Sequence, residues 1–476
     1  MEPADPSGTP IRDAVQSGVF LESLIQAEPR PYGQRAAFAQ QAIRQLLNRL
    51  GNPHQRLKII HIAGSKGKGS TALLTEAILL AAGKQVGTFT SPHLAQWTER
   101  YRINGKEIAA DCLAELLECL RPHVVALRTE NPFNSPSFFD TATAAALLLF
   151  SKAGVDYAIL ETGLGGRLDA TNVVQPVVTC ITSIEMEHTE KLGNTLSAIA
   201  REKAGIIKAG IPVVVGSVPK AAEWEIVARA KAVQAPLIQL GRTLQVSIKS
   251  VGIKSVGHAM DLHLRSGALN MAATLPIVGQ HQAQNSALAM ACVQQLNAFS
   301  STTLMHATQR GLANAKLPGR IEILSSNPWI VVDSAHTHAS ARALSLALAR
   351  NTACQIHLVI SLSKDKDPVT VCAPLLNKAA AVVLTQAEPS RSLSPDTLAA
   401  AFQKHLPSLP LRIVPDPIAA VTKAYQGLSP NTLLCVTGSV YMAGIARSVL
   451  STLLQRFHTD PSLSEKTDGS FLSNSR

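Results

Sequence analysis

The sequence predicts an α/β protein of two unequal domains, and three observations lead to this fold class. Short apolar runs alternate along most of the chain with longer segments of helical periodicity, which is typical of a largely parallel sheet covered by helices. The chain has 476 residues, enough for more than one hydrophobic core. The alternation starts afresh after Pro318-Gly319, a pair of residues that interrupts regular structure.

These observations divide the chain into four segments. We expect a flexible leader at residues 1–18, a large N-terminal domain at 19–317, a smaller Rossmann-like α/β C-terminal domain at 318–458 and a polar, disordered tail at 459–476. Between 239 and 278 short segments of alternating polar and apolar residues replace the longer pattern. The N-terminal domain should therefore add a small antiparallel subsheet to its mostly parallel sheet.

The individual elements follow from the period of the apolar residues. In the N-terminal domain we predict strands at 59–63, 85–90, 156–161, 177–184 and 211–215, and helices at 36–50, 72–82, 109–120, 139–150, 192–208 and 280–297. In the C-terminal domain we predict strands at 329–333, 356–360, 381–385, 411–414 and 433–437, with helices between them.

Composition excludes several classes of protein. The net charge is +11, but Lys and Arg are dispersed and only three Trp and five Tyr are present, so we expect no nucleic-acid partner. Apolar runs are too short to span a bilayer, and the first residues lack the pattern of a secretion signal, so we expect no membrane partner and a cytoplasmic location. The seven cysteines include no CxxC pair, which favours reduced thiols over disulfides or zinc.

A glycine-rich loop follows the first predicted strand and leads into a helix, the context in which such a loop binds phosphate groups. Its residues are Gly64, Ser65, Lys66, Gly67, Lys68, Gly69, Ser70 and Thr71. Glycines let the backbone approach a ligand, the helix N-terminus adds positive charge, and Lys68 can reach a terminal phosphate. This reading makes the N-terminal domain P-loop ATPase-like. The alternative is a tight turn without a ligand.

The loop departs from the strict phosphate-loop spacing, because Gly69 stands where a serine or threonine usually binds magnesium. Three residues at predicted strand ends could supply the missing ligands. Ser91 lies between Thr90 and Pro92, although a simple turn is the alternative there. Glu161 ends a buried strand before a glycine-rich turn, a position where ligands bind open α/β sheets. His188 follows another strand, although a lone histidine is more often structural.

Further polar residues stand at strand ends or on helices near the predicted boundary. Lys203 lies on the 192–208 helix and could neutralise charge, or react with carbon dioxide to give a carbamate; a solvated helical lysine is the alternative. Asp333 and His336 are three apart at a strand-to-helix turn and could bracket a phosphate. The others are Asn285, Arg320 and Ser439, each with an alternative reading as a cap or turn residue. Together they favour one site between the domains.

Taken together, these residues and their surrounding motifs resemble the folylpolyglutamate synthase and dihydrofolate synthase family of the Mur ligase superfamily. The resemblance extends from about residue 32 to 447. The motifs that carry it are HIAGSKGKGST at 61–71, FTSPHL at 89–94, ETGLGGRLDATN at 161–172, EHTEKLGNTLSAIAREKAGIIKAG at 187–210, GQHQAQN at 279–285, PGRIE at 318–322, DSAH at 333–336, SKDKDP at 363–368 and TGSVY at 437–441. Their number and order are more specific than any one of them.

The resemblance implies roles for these residues. ATP phosphates would bind the 64–71 loop, and Ser91, Glu161 and His188 match the family's magnesium ligands. Lys203 matches a lysine that is carbamylated in the family, and Lys68, Lys203 and His188 would be catalytic. Asn285, Arg320, Asp333 and His336 match ATP positions, whereas His93, Arg100 and Ser439 match substrate positions. The segment around His93 and 100–104 resembles a mobile loop near the pterin substrate.

The activity that the resemblance implies is an ATP-dependent acid–amino-acid ligation. L-Glutamate would be added to dihydropteroate or reduced folates through an acyl phosphate, with release of ADP and phosphate, by a monomer that uses two Mg²⁺ ions. K⁺ and carbamylated Lys203 are further options. The sequence does not separate a bifunctional enzyme from one limited to either reaction.

Some positions depart from the family pattern, and two other functions stay open. Thr337 stands where Asn is usual, Asp140 where Glu is common and Ser392 where Ala is common. These residues put substrate-site detail in question but leave the phosphate and metal residues intact. The alternatives are a related Mur-type ligase acting on another carboxylate, and a nucleotide-binding regulator without turnover.

Overall fold

The computed structural model describes residues 10–26, 40–254, 257–349, 355–429 and 431–459. Its helices are α1 (Ala14–Gln26), α2 (Gln41–Arg49), α3 (Lys68–Ala81), α4 (Ala110–Glu130), α5 (Phe138–Lys152), α6 (Thr189–Leu192), α7 (Leu196–Ala204), α8 (Lys220–Ala232), α9 (Gln280–Gln294), α10 (Ser301–Ala313), α11 (His338–Leu348), α12 (Pro368–Leu376), α13 (Pro395–His405), α14 (Pro417–Gln426) and α15 (Val440–Thr459).

Its strands form three sheets. They are β1 (Ile59–Ala63), β2 (Val86–Phe89), β3 (Tyr101–Ile103), β4 (Lys106–Glu107), β5 (Tyr157–Glu161), β6 (Pro176–Ile181), β7 (Val213–Val215), β8 (Leu237–Gln239), β9 (Leu244–Lys254), β10 (Gly257–Ser266), β11 (Leu269–Leu275), β12 (Glu322–Ser326), β13 (Trp329–Val332), β14 (Gln355–Ile360), β15 (Ala379–Leu384), β16 (Leu411–Ile413) and β17 (Thr432–Thr437).

The largest sheet has the order β4-β3-β2-β5-β1-β6-β7-β8. Six of its strands run parallel to one another, in the spatial order β2, β5, β1, β6, β7 and β8. The β3–β4 hairpin pairs antiparallel with β2 at one side of the sheet. Strand β1 pairs with β5 and β6, and all five of its residues are buried. This position explains why the strand is an unbroken apolar run apart from one histidine, since central parallel strands are covered on both faces.

Two hydrophobic clusters cover this sheet. One contains residues of α1, α2, α4 and α5 packed against β1, β2 and β5. The other contains residues of α7 and α8 packed against β6 and β7. Because both faces are buried, the functional groups of the sheet lie at its strand ends, where turns connect strands to helices.

The two smaller sheets also follow the predicted pattern. Strands β9, β10 and β11 form a three-stranded sheet, with β10 and β11 antiparallel. The third sheet has the order β12-β13-β17-β14-β15-β16 and is parallel except for β12. The predicted α/β class, mostly parallel sheet and antiparallel subsheet are therefore confirmed.

The chain divides into two compact units, with the main change of unit between Ala315 and Lys316. The short segments 251–259 and 277–281 belong to the second unit, although they precede this point. The domain boundary that the sequence predicts between residues 317 and 318 lies two residues after this main change of unit.

The predicted leader is too long. Its residues 14–18 form the beginning of α1, and Ser17, Leu21 and Leu24 of this helix are buried, so apolar packing orders the segment. Residues 1–9 of the leader and the tail from 460 onward lie outside the described residues. Thr459, which the prediction placed in the tail, is the last residue of α15.

The segment at 100–104 also differs from its prediction as a mobile loop. Tyr101–Ile103 is strand β3 and pairs with β2, and Tyr101 is fully buried. The side chain of Asn104 accepts a hydrogen bond from the backbone N–H of Val86, which holds the following turn against the sheet. Within the described residues, no helix is long and apolar enough to cross a bilayer.

Candidate functional site

The glycine loop after β1 has a conformation that depends on its glycines. Gly64 and Gly67 have φ angles of 150° and 84°, a region that residues with a side chain rarely adopt. A Cβ on Gly64 would overlap the side chain of Thr182, and a Cβ on Gly67 would lie 2.5 Å from Oδ1 of Asn285. The loop therefore brings its backbone close to two neighbouring segments, and helix α3 begins directly after it at Lys68.

Strand β6 and the turn after it hold this loop in place. The backbone N–H of Ser65 donates to the carbonyl of Ser183, and the N–H of Lys66 donates to the Ser183 hydroxyl. The hydroxyls of Thr182 and Ser183 both donate to the carbonyl of Lys66. The Ser65 hydroxyl accepts from the N–H of Glu185. These bonds fix the loop while the first N–H groups of α3 keep no acceptor inside the helix, as at any helix start.

Two lysine ammonium groups converge on the same carbonyl of the loop. Lys68 Nζ donates to the carbonyl of Gly64 at 3.0 Å, and Lys203 Nζ donates to it at 2.9 Å. Lys203 is 1% exposed, so the predicted alternative of a solvated lysine is wrong. Burial, followed by the charge of Lys68, lowers the pKa of Lys203 to about 8. A sizeable fraction of its amine is thus neutral near pH 8, and neutral amines react with carbon dioxide.

Glu187 neutralises part of this positive charge. Its Oε1 lies 3.0 Å from Lys203 Nζ and its Oε2 lies 3.6 Å from Lys66 Nζ. Burial alone would raise the pKa of Glu187, but Lys203, Lys68 and Lys66 outweigh burial and hold the pKa below its ordinary value. Glu187 therefore stays ionised among the three lysines of the site.

Glu161 and Ser91 meet beside the loop. The backbone N–H of Ser91 donates to Glu161 Oε2 at 3.0 Å, and Glu161 Oε1 lies 4.0 Å from Lys68 Nζ. A Cβ on Gly69 would lie 3.2 Å from Glu161 Oε2. This contact explains why a glycine stands where phosphate loops usually carry a hydroxyl: a larger side chain would press on the carboxylate that occupies this space.

His188 lies in the segment between β6 and α6, next to Glu187. It has a left-handed backbone with φ of 47° and precedes the short helix α6. Burial lowers the pKa of His188, although Glu187 and Glu190 oppose this effect. A neutral imidazole is the form that binds metal ions.

The donor set is sparse but suits magnesium. In the described ranges, no group of three or more His, Cys, Asp and Glu side chains could by itself hold a metal ion. A cation here would use the Glu161 carboxylate, the Ser91 hydroxyl, His188 and oxygens from phosphate and water. Magnesium in nucleotide sites is commonly bound through one or two carboxylates together with phosphates and waters.

The glycine-rich turn after β5 packs on the end of α7, the helix that carries Lys203. The N–H of Arg167 donates to the carbonyl of Glu202, and the Arg167 guanidinium binds the Glu202 carboxylate at 2.7 Å. The side-chain amide of Asn172 donates to the carbonyls of Arg167 and Gly205. A Cβ on Gly166 would lie 2.8 Å from the carbonyl oxygen of Lys203. The turn that follows Glu161 and the helix that carries Lys203 are thus one rigid assembly.

His93 and Arg100 bind each other within an aromatic cluster. Arg100 Nε donates to His93 Nδ1 at 3.0 Å. The guanidinium carbon of Arg100 lies 5.1 and 5.3 Å from the ring centres of Trp97 and Phe138. Burial, helped by the charge of Arg100, lowers the pKa of His93 to about 3. His93 is therefore neutral and accepts a hydrogen bond at neutral pH.

The second unit places Arg320, Asp333 and His336 at its own strand ends. The Asp333 carboxylate accepts hydrogen bonds from the N–H groups of Ile321 and Ala335, both at 2.7 Å. Burial raises the pKa of Asp333 to about 6, although the charge of Arg320 and these hydrogen bonds oppose it. His336 Nδ1 lies 2.8 Å from the carbonyl of Ser334.

Three other singled-out residues have local structural roles. Ser439 accepts a hydrogen bond from the N–H of Met442 and so caps α15. Thr337 caps α11 through a reciprocal pair with Ser340, and Asp140 is the acidic member of a capping box with Ser137 at the start of α5. The departures from the family pattern at Thr337 and Asp140 thus preserve helix starts.

Sequence reasoning gave no role to Glu187, Thr182 or Ser183. Glu187 could have been found from its place next to His188, and the two hydroxyls from their position at the end of the strand predicted at 177–184. The partner of the two hydroxyls could not be found, because the Lys66 carbonyl is more than 100 residues away in sequence. The contact of Glu187 with Lys203, 16 residues further on, arises only in the folded packing.

Comparison with known proteins identifies relatives that match most of the chain. A model of the Mur ligase middle domain matches residues 62–293, and a model of the Mur ligase glutamate ligase domain matches residues 319–440. The chain is 33% identical over 412 residues to the dihydrofolate synthase/folylpolyglutamate synthase of Bacillus subtilis, which covers 86% of this chain and 94% of that relative.

A second relative is considerably longer. The chain is 32% identical over 412 residues to a probable bifunctional folylpolyglutamate synthase/dihydropteroate synthase of Haloferax volcanii, which covers 86% of this chain and 48% of that relative. The chain thus spans about half the length of this archaeal relative.

Solved structures have the same fold. Folylpolyglutamate synthase from Thermotoga maritima has a TM-score of 0.80 and 31% identity, covering 92% of this chain and 97% of that one. A bifunctional folylpolyglutamate synthase/dihydrofolate synthase from Yersinia pestis, complexed with AMPPNP and a manganese ion, has a TM-score of 0.77 and 30% identity, covering 94% and 100%. A further structure of such an enzyme holds manganese, AMPPNP and L-glutamate; its TM-score is 0.76 at 30% identity, covering 91% and 98%.

Proposed function

Because the chain belongs to the folylpolyglutamate synthase/dihydrofolate synthase family of Mur ligases, we propose that it is an ATP-dependent acid–amino-acid ligase. It adds L-glutamate to dihydropteroate, to reduced folyl-polyglutamates, or to both, and releases ADP and phosphate. The names of the relatives and the nucleotide, metal and glutamate bound to the Y. pestis protein and its counterpart support this reaction.

The observation that carries the proposal is the convergence of Lys68, Lys203 and Glu161 on the glycine loop. A carboxylate resists attack by an amine because its charge repels the nucleophile and oxide is a poor leaving group. Transfer of the γ-phosphoryl group of ATP to the carboxylate gives an acyl phosphate, which the α-amine of glutamate then attacks. Phosphoryl transfer needs fixed positive charge beside the phosphate oxygens, and the ammonium of Lys68 provides it at the start of α3.

In this proposal, some of residues 64–71 bind the phosphate groups and the others hold the loop in its conformation. The N–H groups at the start of α3 bind phosphate oxygens, while Ser65 and Lys66 are held by the turn after β6. Thr71 contributes little directly, because it is fully buried and its N–H donates to the carbonyl of Gly67. Asn285, which faces Gly67, is an ATP-binding residue in the same unit as the loop.

Ser91, Glu161 and His188 would hold magnesium, of which we infer two ions, with K⁺ as a further cation. The divalent cation would neutralise charge on the transferring phosphate. The donor types fit this role: Glu161 offers a carboxylate next to Lys68, and Ser91 is held beside it through its backbone N–H. His188 would bind as the neutral imidazole that burial favours.

We infer that Lys203 acts as a carbamate in the active enzyme. The carbamate would replace an ammonium by an anion next to the loop and would supply a further oxygen ligand for a cation. The lowered pKa of the Lys203 amine and its burial support this chemistry. Glu187 would hold the unmodified amine in position before the reaction.

For the remaining residues we propose binding roles. Arg320, Asp333 and His336 bind ATP, with Asp333 acting mainly by shaping the turn that presents the other two. His93 and Arg100 form one wall of the pterin site with Trp97 and Phe138, and Ser439 lies near the incoming glutamate. We further infer a cytoplasmic monomer.

The test is ATP-dependent incorporation of labelled L-glutamate, with dihydropteroate and tetrahydrofolate compared side by side. We expect Mg²⁺-dependent product and equimolar ADP with at least one acceptor. Using both acceptors separates a bifunctional enzyme from one limited to a single reaction. Release of ADP only with a different carboxylic acid would indicate a Mur-type ligase of other specificity, and no ADP release with any acceptor would indicate a regulator.

A further inference from the structure

A cavity of about 520 Å³ lies in the first unit, formed by the antiparallel subsheet together with the ends of β7 and β8. The residues that line it are Ser217, Leu240, Gly241, Gln245, Val246, Ser247, His263, Arg265, Asn270 and Gln284. Its size falls within the range of small-molecule sites, roughly 300–1,000 Å³. None of these residues has a role in the proposed ligase reaction.

The subsheet presents a polar face to this cavity. Along β10, Leu262 and Leu264 are fully buried whereas His263 and Arg265 line the cavity, as expected for successive side chains on opposite faces of a strand. Arg265 pairs in register with Asn270 of β11, so their side chains are neighbours. The alternation that predicts this subsheet in the sequence therefore also builds a polar wall.

The polar side chains of this wall make no hydrogen bonds or ion pairs with other described residues. This holds for Gln245, His263, Arg265, Asn270 and Gln284, although the surrounding chain is rich in such contacts. The neighbouring Arg242 shows the contrast, because it binds Glu223 at 2.7 Å. Arg265 and Asn270 are exposed to solvent, and none of the described residues that line this concave site is acidic.

The cavity also lies where α/β sheets bind ligands. Ser217 follows β7, and Leu240 and Gly241 follow β8, so these residues stand at the carboxyl ends of parallel strands. The glycine loop follows β1 at the same edge of the sheet, with β6 and β7 between β1 and β8. This end of the parallel strands thus carries the cavity as well as the loop.

We propose that this cavity is a binding site for a small oxyanion, a molecule with a carboxylate or phosphate group, distinct from the nucleotide phosphates. Arg265 binds the anionic group, because the planar guanidinium fork matches both carboxylate and phosphate oxygens. Asn270, Gln245 and Gln284 supply amide hydrogen bonds to the rest of the ligand. The site does not depend on ligase turnover, so its test measures binding alone.

The experiment uses the full chain with Mg²⁺ and saturating AMPPNP, so that the glycine loop is occupied. Inorganic phosphate is titrated and followed by ³¹P line broadening, and L-glutamate is titrated separately and followed by saturation-transfer NMR. Because L-glutamate and phosphate are also substrate and product of the proposed ligase reaction, only the binding that Arg265→Gln weakens is assigned to the cavity. We expect at least one probe to show such binding, and the better probe identifies phosphate or carboxylate as the preferred group. Arg265→Gln should weaken that binding about tenfold or more, as for loss of a charged hydrogen bond, and Asn270→Ala should weaken it several-fold.

Arg242→Gln is the matched control, because it removes the same charge beside the cavity from an arginine that already has a carboxylate partner. Its effect on probe binding should stay within about twofold. The proposal is overturned if neither probe binds, or if Arg242→Gln and Arg265→Gln weaken binding equally, which would indicate a general charge effect. It is also overturned if Arg265→Gln weakens AMPPNP itself, because the cavity would then be part of the nucleotide site.

Discussion

Two of the turns that follow a parallel strand and lead into a helix differ in their contacts: residues 64–67 after β1, and residues 333–337 after β13. In the first turn, Lys68 and Lys203 share the carbonyl of Gly64, and side chains from remote segments surround them. In the second turn, the polar groups bind the backbone of their own neighbourhood, as Asp333 binds the N–H groups of Ile321 and Ala335.

The two turns differ in which residues hold them in their conformation. The 64–67 loop is held from outside, mainly by Thr182 and Ser183, so the first N–H groups of α3 stay available for a ligand. The 333–337 turn is held by its own Asp333, whose carboxylate is already committed to two backbone donors. Substitutions in the first turn should therefore impair chemistry, and substitution of Asp333 in the second should mainly impair stability.

Glu161→Gln should give the largest effect. It keeps the shape of the side chain but removes the charge that lies 4.0 Å from Lys68 Nζ and is proposed to bind magnesium. We expect glutamate incorporation to fall about 10³-fold, since a metal ion contributes several kcal/mol to transition-state stabilisation, while the melting temperature stays close to that of the parent. Glu225→Gln, which alters an exposed pair with Arg201, is the control. Near-normal turnover of Glu161→Gln would remove Glu161 from the metal site.

Lys203→Ala should follow, with a loss of about 10²-fold, comparable to loss of one electrostatic contact to the transition state. If Lys203 acts as a carbamate, added short-chain carboxylic acids should restore part of the activity, because they replace its carboxylate in the cavity left by the side chain. Lys191→Ala on α6, an exposed lysine near in sequence, should show neither loss nor rescue. Full activity without dependence on added acid would refute the carbamate.

The sequence predicted the elements of both turns but not how each is used. Periodicity located β1 and β13, and the strand-loop-helix order identified the loop, since these signals are local. It could not show that Lys203 contacts Gly64, because the two are 139 residues apart. It also left Asp333 as a candidate to bracket a phosphate, whereas both of its carboxylate oxygens bind the backbone. The burial that separates a functional lysine from a solvated one arises only in the folded packing.

The pH dependence of the free energy of unfolding, compared between the parent and Asp333→Asn, tests the role of Asp333 in the second turn. Burial raises the pKa of Asp333 from 3.8 to about 6. A raised folded-state pKa means that the stability contributed by this group is present below about pH 4 and is lost as the pH rises through 6. The free energy of unfolding of the parent should thus fall, relative to Asp333→Asn, by about 2 kcal/mol between pH 4 and pH 7. Urea titrations at each pH measure it, and a pH-independent difference would contradict the assigned pKa.

Substitution of His61, which belongs to the first unit, should give the smallest effect on the free energy of unfolding. Its pH dependence should be opposite to that of Asp333. This histidine of β1 is fully buried, and its Nε2 lies 2.8 Å from the hydroxyl of Thr171 in the turn region after β5. Burial lowers the pKa of His61 from 6.5 to about 3, so its stabilising contribution is present above pH 6.5 and is lost as the pH falls.

Between pH 6.5 and 5.5 the free energy of unfolding of the parent should fall by about 1 kcal/mol relative to that of His61→Gln. Urea titrations at these two pH values measure the change, and the exposed His405→Gln should leave it unaltered. Equal slopes for the parent and His61→Gln would contradict the lowered pKa of His61 and show that its place in β1 tolerates a charged imidazole.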